Sequence, residues 1–342
     1  MTAVFLNGRF YSDRAADAPI ADARLSAFDA GLQHAVGLFE TLRGGVRKPE
    51  PSPAADGPAP GAGTGWCYRL DEHLQRLRQS AAELGLSESI NPAALAEAVL
   101  QTIEHAGLAS ARVRLTVTAG DLNMLSRAAH SAGSTPQDPT ILIVAQPATV
   151  YPDAMFERGV SVVVADTRAN PLNPFEGHKT LNYWWRLRAL QAAASRGAGE
   201  SIVLQVSNHL AGGCVSNVFL VKDGELRTPI VRGEEAGPDS GGHQAPPRAG
   251  ALPSPVLPGI TRGAIREFSA GLGITCRAEM LSVQELLDAD EVFLTNSSWG
   301  VLPVVSVLGL GEKRAIADGV PGKITTRLRR AWTEDVARAE LE

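Results

Sequence analysis

Apolar and polar positions in the first part of the chain alternate in ways that predict strands joined by tight turns. Two apolar runs flank Asn7-Gly8 within residues 4–12, and this dipeptide between apolar runs is a strong signal for a β-hairpin. In residues 112–118 an apolar side chain recurs at every second position, as on one face of a strand. Further strands are predicted over 37–46, 66–70 and 140–146.

Two amphipathic helices are predicted between these strands. The first covers residues 72–85, with apolar side chains on one face and Asp71 as the expected N-cap. The second begins at Asn91-Pro92, an N-cap followed by a proline in the first turn, and ends at Gly107.

The second part of the chain mixes strands and helices, and many neighbouring strands are joined by short turns. This favours a mixed α/β or α+β fold over a doubly wound parallel sheet. Predicted strands cover 159–166, 201–206, 217–228 (a hairpin), 274–280, 291–295 and 301–307. Predicted helices cover 180–196, 262–271, 282–288 and 323–340.

Proline-rich and glycine-rich stretches divide the chain into domains. Residues 147–153 contain two prolines, which disfavour a continuing strand or helix, and are predicted to be a linker. It would join a smaller N-terminal α/β domain, residues 1–146, to a larger C-terminal domain, residues 154–342. Aperiodic stretches predict flexible insertions at 47–65 and 232–255 and a loop at 120–138.

Composition restricts the classes of function. The chain of 342 residues is 44% apolar with a formal net charge of −5, and it has no basic run of the kind that binds nucleic acid. Cys67, Cys214 and Cys276 lie far apart without metal-ligand spacing, so neither a disulfide framework nor a metal site is predicted. Because neither a membrane-spanning apolar run nor a signal-peptide pattern is evident, we expect a cytoplasmic protein without a membrane partner.

Lysine is rare in this chain, and one lysine has unusual neighbours. Only five lysines occur, and Lys179 is followed by Leu181, Tyr183, Trp184 and Trp185. Apolar surroundings lower the pKa of a lysine, which suits an amine that must lose its proton to form a Schiff base. The alternative is a lysine at the start of an amphipathic helix whose amine reaches water.

Two segments have the composition of anion sites. Gly259 precedes a predicted helix, so the amides of Ile260 and Thr261 would lie at its N-terminus, where the helix dipole favours an anion. Residues 295–298 (Thr-Asn-Ser-Ser) follow an apolar strand, and such a turn can present amides and hydroxyls to a phosphate. The alternatives are a helix start that binds nothing and an ordinary polar turn.

Two further side chains are candidates for a site. Arg76 lies on the predicted helix apart from its apolar face, and an arginine fork makes paired bonds to phosphate. The alternative is a solvated helix arginine. Phe39, in a predicted strand, is a candidate wall of a substrate pocket, although such an aromatic is more often core.

Together these segments resemble the class IV aminotransferases, the pyridoxal-phosphate enzymes of the branched-chain and D-amino-acid aminotransferase fold, which also include aminodeoxychorismate lyase. The resemblance covers nearly the whole chain apart from the two insertions, and its pieces occur in family order. They are Asp29-Ala30-Gly31-Leu32-Gln33-His34, Gly37-Leu38-Phe39-Glu40-Thr41-Leu42-Arg43, His73-Leu74-Gln75-Arg76-Leu77, Lys179-Thr180-Leu181-Asn182-Tyr183, Ser216-Asn217-Val218-Phe219, Leu257-Pro258-Gly259-Ile260-Thr261-Arg262 and Glu291-Val292-Phe293-Leu294-Thr295.

The resemblance implies a two-domain enzyme of fold type IV, a homodimer with pyridoxal 5'-phosphate as its cofactor. Lys179 would hold the cofactor as a Schiff base and shuttle a proton at the α-carbon of the substrate. Phe39 would line the substrate side. The cofactor phosphate would be held by Arg76, Ile260, Thr261 and Ser297, with Ser298 near it.

The chain departs from the family pattern at two positions. The family places a glutamate five residues before the position of Asn217, where it pairs with the protonated pyridine nitrogen, and this chain has Gly212 there. Without that carboxylate the ring should be a weaker electron sink, unless another group serves. The D-amino-acid enzymes carry a carboxylate-binding arginine where this chain has Ala119; Arg114 is the candidate replacement, and an edge-strand charge is its alternative role.

The resemblance leaves three functions open. The first is amino transfer between an α-amino acid of branched-chain type and a 2-oxo acid. The second is an aminodeoxychorismate lyase that forms 4-aminobenzoate and pyruvate, which both Gly212 and the lyase-like turn at 295–304 favour. The third is a homologue that has lost catalysis, because Gly212 replaces the glutamate.

Overall fold

The computed structural model of the protein describes residues 1–14, 17–47, 63–88, 90–121, 138–235, 252–309 and 312–342. The central parts of the predicted insertions 47–65 and 232–255, and of the predicted loop 120–138, lie outside these ranges. The described chain forms two compact units. The first unit comprises Met1–Thr149, Lys179–Asn182 and Val336–Glu342, and the second comprises Val150–His178 and Tyr183–Asp335.

The first unit contains an antiparallel sheet, six-stranded within the described residues, in the order β2-β1-β6-β5-β3-β4. Its strands are β1 (Ala3–Leu6), β2 (Arg9–Ser12), β3 (Gly37–Val46), β4 (Gly65–Cys67), β5 (Ala111–Thr118) and β6 (Ile141–Pro147). Its helices are α1 (Ala30–His34), α2 (Leu70–Glu83) and α3 (Pro92–Ala106). The core forms where apolar faces of α2 and α3 pack with fully buried β5 side chains such as Val113 and Leu115.

Of three local turn and cap signals in this unit, the structure confirms two, the hairpin turn and the cap of α3, and contradicts the third, the cap of α2. The hairpin of β1 and β2 is confirmed, and so is α3, where Asn91 Oδ1 accepts from Ala93 N at 3.0 Å. Asp71 as the N-cap of α2 is wrong: Arg69, in the left-handed region at φ 50°, holds that position. Asp71 lies instead in the first helical turn, where its negative charge interacts favourably with the helix dipole.

The second unit contains a mixed sheet, nine-stranded within the described residues, in the order β12-β11-β10-β13-β14-β7-β8-β9, with β15 paired to β14. Three of its pairs are parallel: β11 with β12, β14 with β7, and β7 with β8. Its strands are β7 (Val160–Ala169), β8 (Glu200–Gln205), β9 (Leu210–Gly213), β10 (Asn217–Lys222), β11 (Glu225–Pro229), β12 (Cys276–Glu279), β13 (Glu291–Asn296), β14 (Gly300–Leu308) and β15 (Lys313–Ala315).

Helices accompany this sheet, and the mixed α/β class predicted for the chain is confirmed. They are α4 (Asp153–Glu157), α5 (Trp184–Ser195), α6 (Ile260–Gly271), α7 (Val283–Leu287) and α8 (Lys323–Leu341), the last of which extends into the residues of the first unit. Strands β9 and β15 were not predicted from the sequence, because β9 ends in two glycines and β15 is short and charged, so neither has an apolar alternation. Among the helices of the described residues, none is both long and apolar enough to cross a bilayer.

Candidate functional site

Lys179 is held on the first unit by backbone hydrogen bonds to β3. Phe39 N–H donates to Lys179 O at 2.9 Å, Leu181 N–H donates to Gly37 O at 2.9 Å, and Leu38 and Thr180 form an antiparallel bridge. The predicted helix start at residue 180 is therefore wrong, since these backbone groups bind a strand edge and α5 begins only at Trp184. A lysine fixed in this way has its Cα placed by the sheet rather than by a flexible loop.

Two cationic side chains of the first unit converge on one buried aromatic ring. Phe39 is 4% exposed, Lys179 Nζ lies 4.5 Å from its ring centroid, and Arg114 Cζ lies 3.9 Å from it. Attraction between each cation and the ring holds both groups near the same surface. The structure thus brings together the candidate Schiff-base lysine and the two candidate substrate residues.

Arg76, the fourth candidate in this unit, binds the buried carboxylate of Glu40. The sequence alone assigned no role to Glu40. Its Nε donates to Glu40 Oε1 at 2.9 Å and its Nη2 donates to Glu40 Oε2 at 2.5 Å. His73 Nδ1 lies 2.8 Å from Glu40 Oε2. The signal for Glu40 was present but weak: it is an acidic residue inside an otherwise buried strand, next to Phe39.

The charge states in this cluster follow from burial and pairing. Burial opposes ionisation of Glu40, but the charge of Arg76 and the hydrogen bond from His73 outweigh it and hold the pKa of Glu40 at about 2. Burial lowers the pKa of His73, although Glu40 opposes that shift, and the charges of Arg76 and Lys179 reinforce it. At neutral pH the cluster therefore holds an ionised Glu40 and a neutral His73.

The first anion segment of the second unit begins a helix without a side-chain cap. Helix α6 starts at Ile260, two residues earlier than predicted, and Gly259 is its N-cap. Thr261 is 3% exposed, whereas Gly259 and Ile260 at the helix start are partly exposed. Asn217 Nδ2 donates to Leu257 O at 2.9 Å and fixes the loop that leads into the helix. Such a helix start offers amide donors to an anion.

The second anion segment lies at the neighbouring strand end of the same unit. Asn217 of β10 and Thr295 of β13 are direct antiparallel partners, so the start of β10 and the end of β13 lie side by side at one end of these two strands. Asn296 Oδ1 accepts from the backbone N–H groups of Ser298 and Trp299 at 2.9 and 3.0 Å, which shapes the turn of Ser297 and Ser298.

The Thr295 side chain supports a polar ligand at this strand end. The residue is 2% exposed, and its Oγ1 is buried without a hydrogen-bond partner among the described residues. A buried hydroxyl without a partner is unfavourable unless a ligand or water completes it. The donors of the second unit therefore fit a phosphate group.

Gly212 has a backbone conformation that an ordinary side chain rarely adopts. Its φ is 149°, and a Cβ built on it would lie 2.8 Å from Ser216 O. The strand therefore excludes a glutamate here unless the backbone moves. Among the described residues, no cluster of three or more histidine, cysteine or acidic side chains suited to a metal ion occurs.

Glu200, which sequence reasoning missed, is a buried carboxylate that binds the turn after β9. It is fully buried, and its two oxygens accept from the amides of Cys214 and Val215 and from Ser216 Oγ at 3.1 to 3.3 Å. A side chain at Gly213 would meet Glu200, whereas a side chain at 212 would meet Ser216 O. Burial raises the pKa of Glu200, and its hydrogen bonds act against this shift.

Comparison with known proteins places this arrangement in a family. The family model of amino-transferase class IV matches residues 37–307. The branched-chain-amino-acid aminotransferase of Salmonella typhimurium is 32% identical over 271 residues, which is 78% of this chain and 77% of that protein.

Two solved structures share the fold over nearly the whole chain. The Escherichia coli branched-chain amino acid aminotransferase superposes with a TM-score of 0.75 and 27% identity, over 97% of this chain and 93% of that one. The 4-amino-4-deoxychorismate lyase of Pseudomonas aeruginosa superposes with a TM-score of 0.70 and 25% identity, over 97% and 99%. Both the sequence match and the fold show that the chain belongs to the class IV aminotransferase family.

Proposed function

We propose that the protein is a pyridoxal-phosphate-dependent aminotransferase that moves an amino group between a branched-chain-type α-amino acid and a 2-oxo acid. The observation that carries this proposal is the fixed position of Lys179 on β3, with its amine against the Phe39 ring. The names of relatives at 32% and 27% identity support the choice of substrate.

The cofactor, when bound, supplies an aldehyde that bonds to amines and a ring that withdraws electrons from the substrate α-carbon. Lys179 Nζ binds the cofactor and carries the proton to and from that α-carbon. The bonds from Phe39 and Leu181 to the β3 edge keep the lysine backbone in place while its side chain moves.

The remaining proposed residues bind and orient. In the second unit, the amides of Ile260 and Thr261 and the turn residues Ser297 and Ser298 are the proposed phosphate ligands. In the first unit, Arg76 is the proposed phosphate ligand. Phe39 and Arg114 form the substrate side, where the guanidinium of Arg114 offers paired donors to a substrate carboxylate. These six donor residues, together with Phe39 and Lys179, are the residues on which the family's chemistry would depend in this chain.

Lyase activity toward aminodeoxychorismate is the second candidate. Gly212 favours it, because a weaker electron sink penalises full transamination more than elimination, and a lyase shares the fold at a TM-score of 0.70. A homologue that binds the cofactor without turnover is the third candidate, and it is supported by Gly212, which replaces the glutamate of the family. We also propose a cytoplasmic location and a homodimeric assembly, and size-exclusion chromatography with light scattering tests the assembly.

Cofactor attachment is tested on purified protein incubated with pyridoxal phosphate. We expect a visible absorbance band, borohydride reduction that fixes the pyridoxyl group on Lys179, and loss of both in Lys179→Ala. Lys222→Ala is the matched control, because that amine is exposed and bound to Asp290 Oδ1 at 2.9 Å. A label that maps to another lysine, or protein that stays colourless in excess cofactor, refutes the assignment.

Activity then separates the three candidates. Amino transfer that depends on a 2-oxo acid supports the aminotransferase. Release of 4-aminobenzoate and pyruvate from aminodeoxychorismate supports the lyase. Cofactor bound to Lys179 with neither activity supports the homologue without catalysis.

A further inference from the structure

Glu40 gathers two donors from one face of α2. His73 and Arg76 are three residues apart on the helix, so their side chains leave the same face. Glu40, whose side chain is 1% exposed, accepts from both, with contacts of 2.5 to 2.9 Å. Because the Glu40 carboxylate is ionised, His73 Nδ1 must carry the hydrogen in this contact.

The contacts of Glu40 fix the plane of the Arg76 guanidinium. A carboxylate that binds Nε and Nη2 together holds the fork in one orientation, since both bonds must lie in the same plane. The Arg76 side chain is 11% exposed, so solvent contributes little to its placement. His73 Nδ1 in turn donates to Glu40 Oε2, so the side chains of Glu40, His73 and Arg76 form one ordered hydrogen-bonded cluster between β3 and α2.

The same contacts cancel the charge of Arg76. The ionised Glu40 and the guanidinium sum to zero, and His73 is neutral at pH 7. A freely charged arginine would attract a phosphate chiefly by its charge, whereas this one acts chiefly by the direction of its donors. The two roles predict opposite effects when the Glu40 charge is removed.

We propose that Glu40 and His73 are positioning residues that set the direction in which Arg76 presents its donors to the phosphate of the cofactor. This inference rests on the proposed function, in which Arg76 binds that phosphate. Removing the carboxylate charge in Glu40→Gln leaves the guanidinium more positive but less ordered. Phosphate recognition therefore weakens, although simple electrostatics predicts that it strengthens.

The test compares pyridoxal phosphate with pyridoxal, which has the same ring and aldehyde but no phosphate. Dissociation constants for both compounds are measured by absorbance titration of the full-length protein after its cofactor has been removed. In Glu40→Gln and in Arg76→Gln, we expect the preference for the phosphorylated compound to fall about tenfold, the scale of one charged hydrogen bond. Glu72→Gln, which alters a paired carboxylate on the same helix, is the matched control and keeps the preference.

A double variant shows whether Glu40 acts through Arg76. In the Arg76→Gln background, Glu40→Gln should cause no further loss of preference, because the group that it orients is gone. Glu40→Asp covers the case in which Glu40→Gln does not fold: it keeps the charge, shortens the reach, and should still lower the preference. Circular dichroism of each variant checks that the fold is intact.

The outcomes separate this inference from the proposed function. An unchanged or raised preference in Glu40→Gln, with Arg76→Gln impaired, overturns the positioning role alone. An unchanged preference in Arg76→Gln removes Arg76 from the phosphate site and overturns the inference with it. Failure of the wild-type protein to bind either compound overturns the proposed function as well.

Discussion

Replacing Gly259 by alanine should destabilise the second unit, because the position has no room for a methyl group. An ideal Cβ there would lie 1.9 Å from Asn217 Oδ1 and 3.1 Å from Asn217 Cγ. The Asn217 side chain cannot turn away without losing its hydrogen bond to Leu257 O, at 2.9 Å. The Gly259 backbone, at φ −71°, suits alanine, so the cost comes from the clash and not from backbone strain.

The size of the effect follows from these contacts. Loss of the hydrogen bond costs about 0.5–1.5 kcal/mol, and forced repacking costs about 1–3 kcal/mol, so we expect a loss of about 2–4 kcal/mol in the free energy of unfolding. Gly263→Ala, four residues further along α6, is the matched control. Apart from its chain neighbours and the backbone of its own helix, no atom of the described residues lies within 4 Å of a Cβ built there, so this substitution should be neutral or stabilise the helix by up to about 1 kcal/mol.

Tryptophan fluorescence during urea denaturation suits this measurement, because four of the five tryptophans lie in the second unit. Asn217→Ala supplies the decisive comparison, since it removes the obstructing atoms. In that background Gly259→Ala should add little further destabilisation. Equal stability of Gly259→Ala and Gly263→Ala, or a cost that is additive with Asn217→Ala, would refute the steric argument.

Three further predictions concern glycine and carboxylate positions. Gly212→Ala should lose about 1–3 kcal/mol of stability in the same fluorescence assay, because its φ of 149° suits only glycine, and Gly212→Glu should for that reason fail to raise amino transfer. Glu200→Gln should lose about 2–4 kcal/mol, since its amide NH₂ would face donors of the turn; a wild-type-like transition contradicts this. The folded-state pKa of Glu40, about 2, lies below its ordinary value of 4.5, so its ionised form stabilises the fold above about pH 4.5 and this contribution is lost as the pH falls toward 2. The stability advantage of wild type over Glu40→Gln, followed by circular dichroism, should therefore shrink from about pH 5 to about pH 3 and not grow.

Residue patterns predicted the parts of the fold whose signals are local. Asn7-Gly8 determines its own turn, and Asn91-Pro92 with Gly107 determines the two ends of α3. The start of α5 was not predictable in this way. Residues after Lys179 have a helix-like composition, but their backbone donors and acceptors bind β3, a strand more than a hundred residues away in sequence.

The same distinction applies to the site. Lys179 stands out because lysine is rare in this chain and apolar residues follow it, and Thr261 stands out because it follows Gly259 at a predicted helix start, so both could be selected as candidates from the sequence. Residue type alone gives at most a weak signal for Glu40 and Glu200, because the role of a buried acid depends on which donors face it, and those donors come from other segments of the chain. The lack of room for a side chain at Gly212 likewise depends on Ser216 O, which comes close to Gly212 only when the turn between them is folded.

None of the proposed phosphate donors carries an uncompensated positive charge. The amides of Ile260 and Thr261 are neutral, the serine hydroxyls are neutral, and the charge of Arg76 is cancelled by Glu40. A phosphate bound by such groups is held by the directions of hydrogen-bond donors and by a helix dipole, which lose strength when the donors turn. Groups that only hold donors in place, such as Glu40 on β3, should therefore matter to cofactor binding as much as the donors themselves.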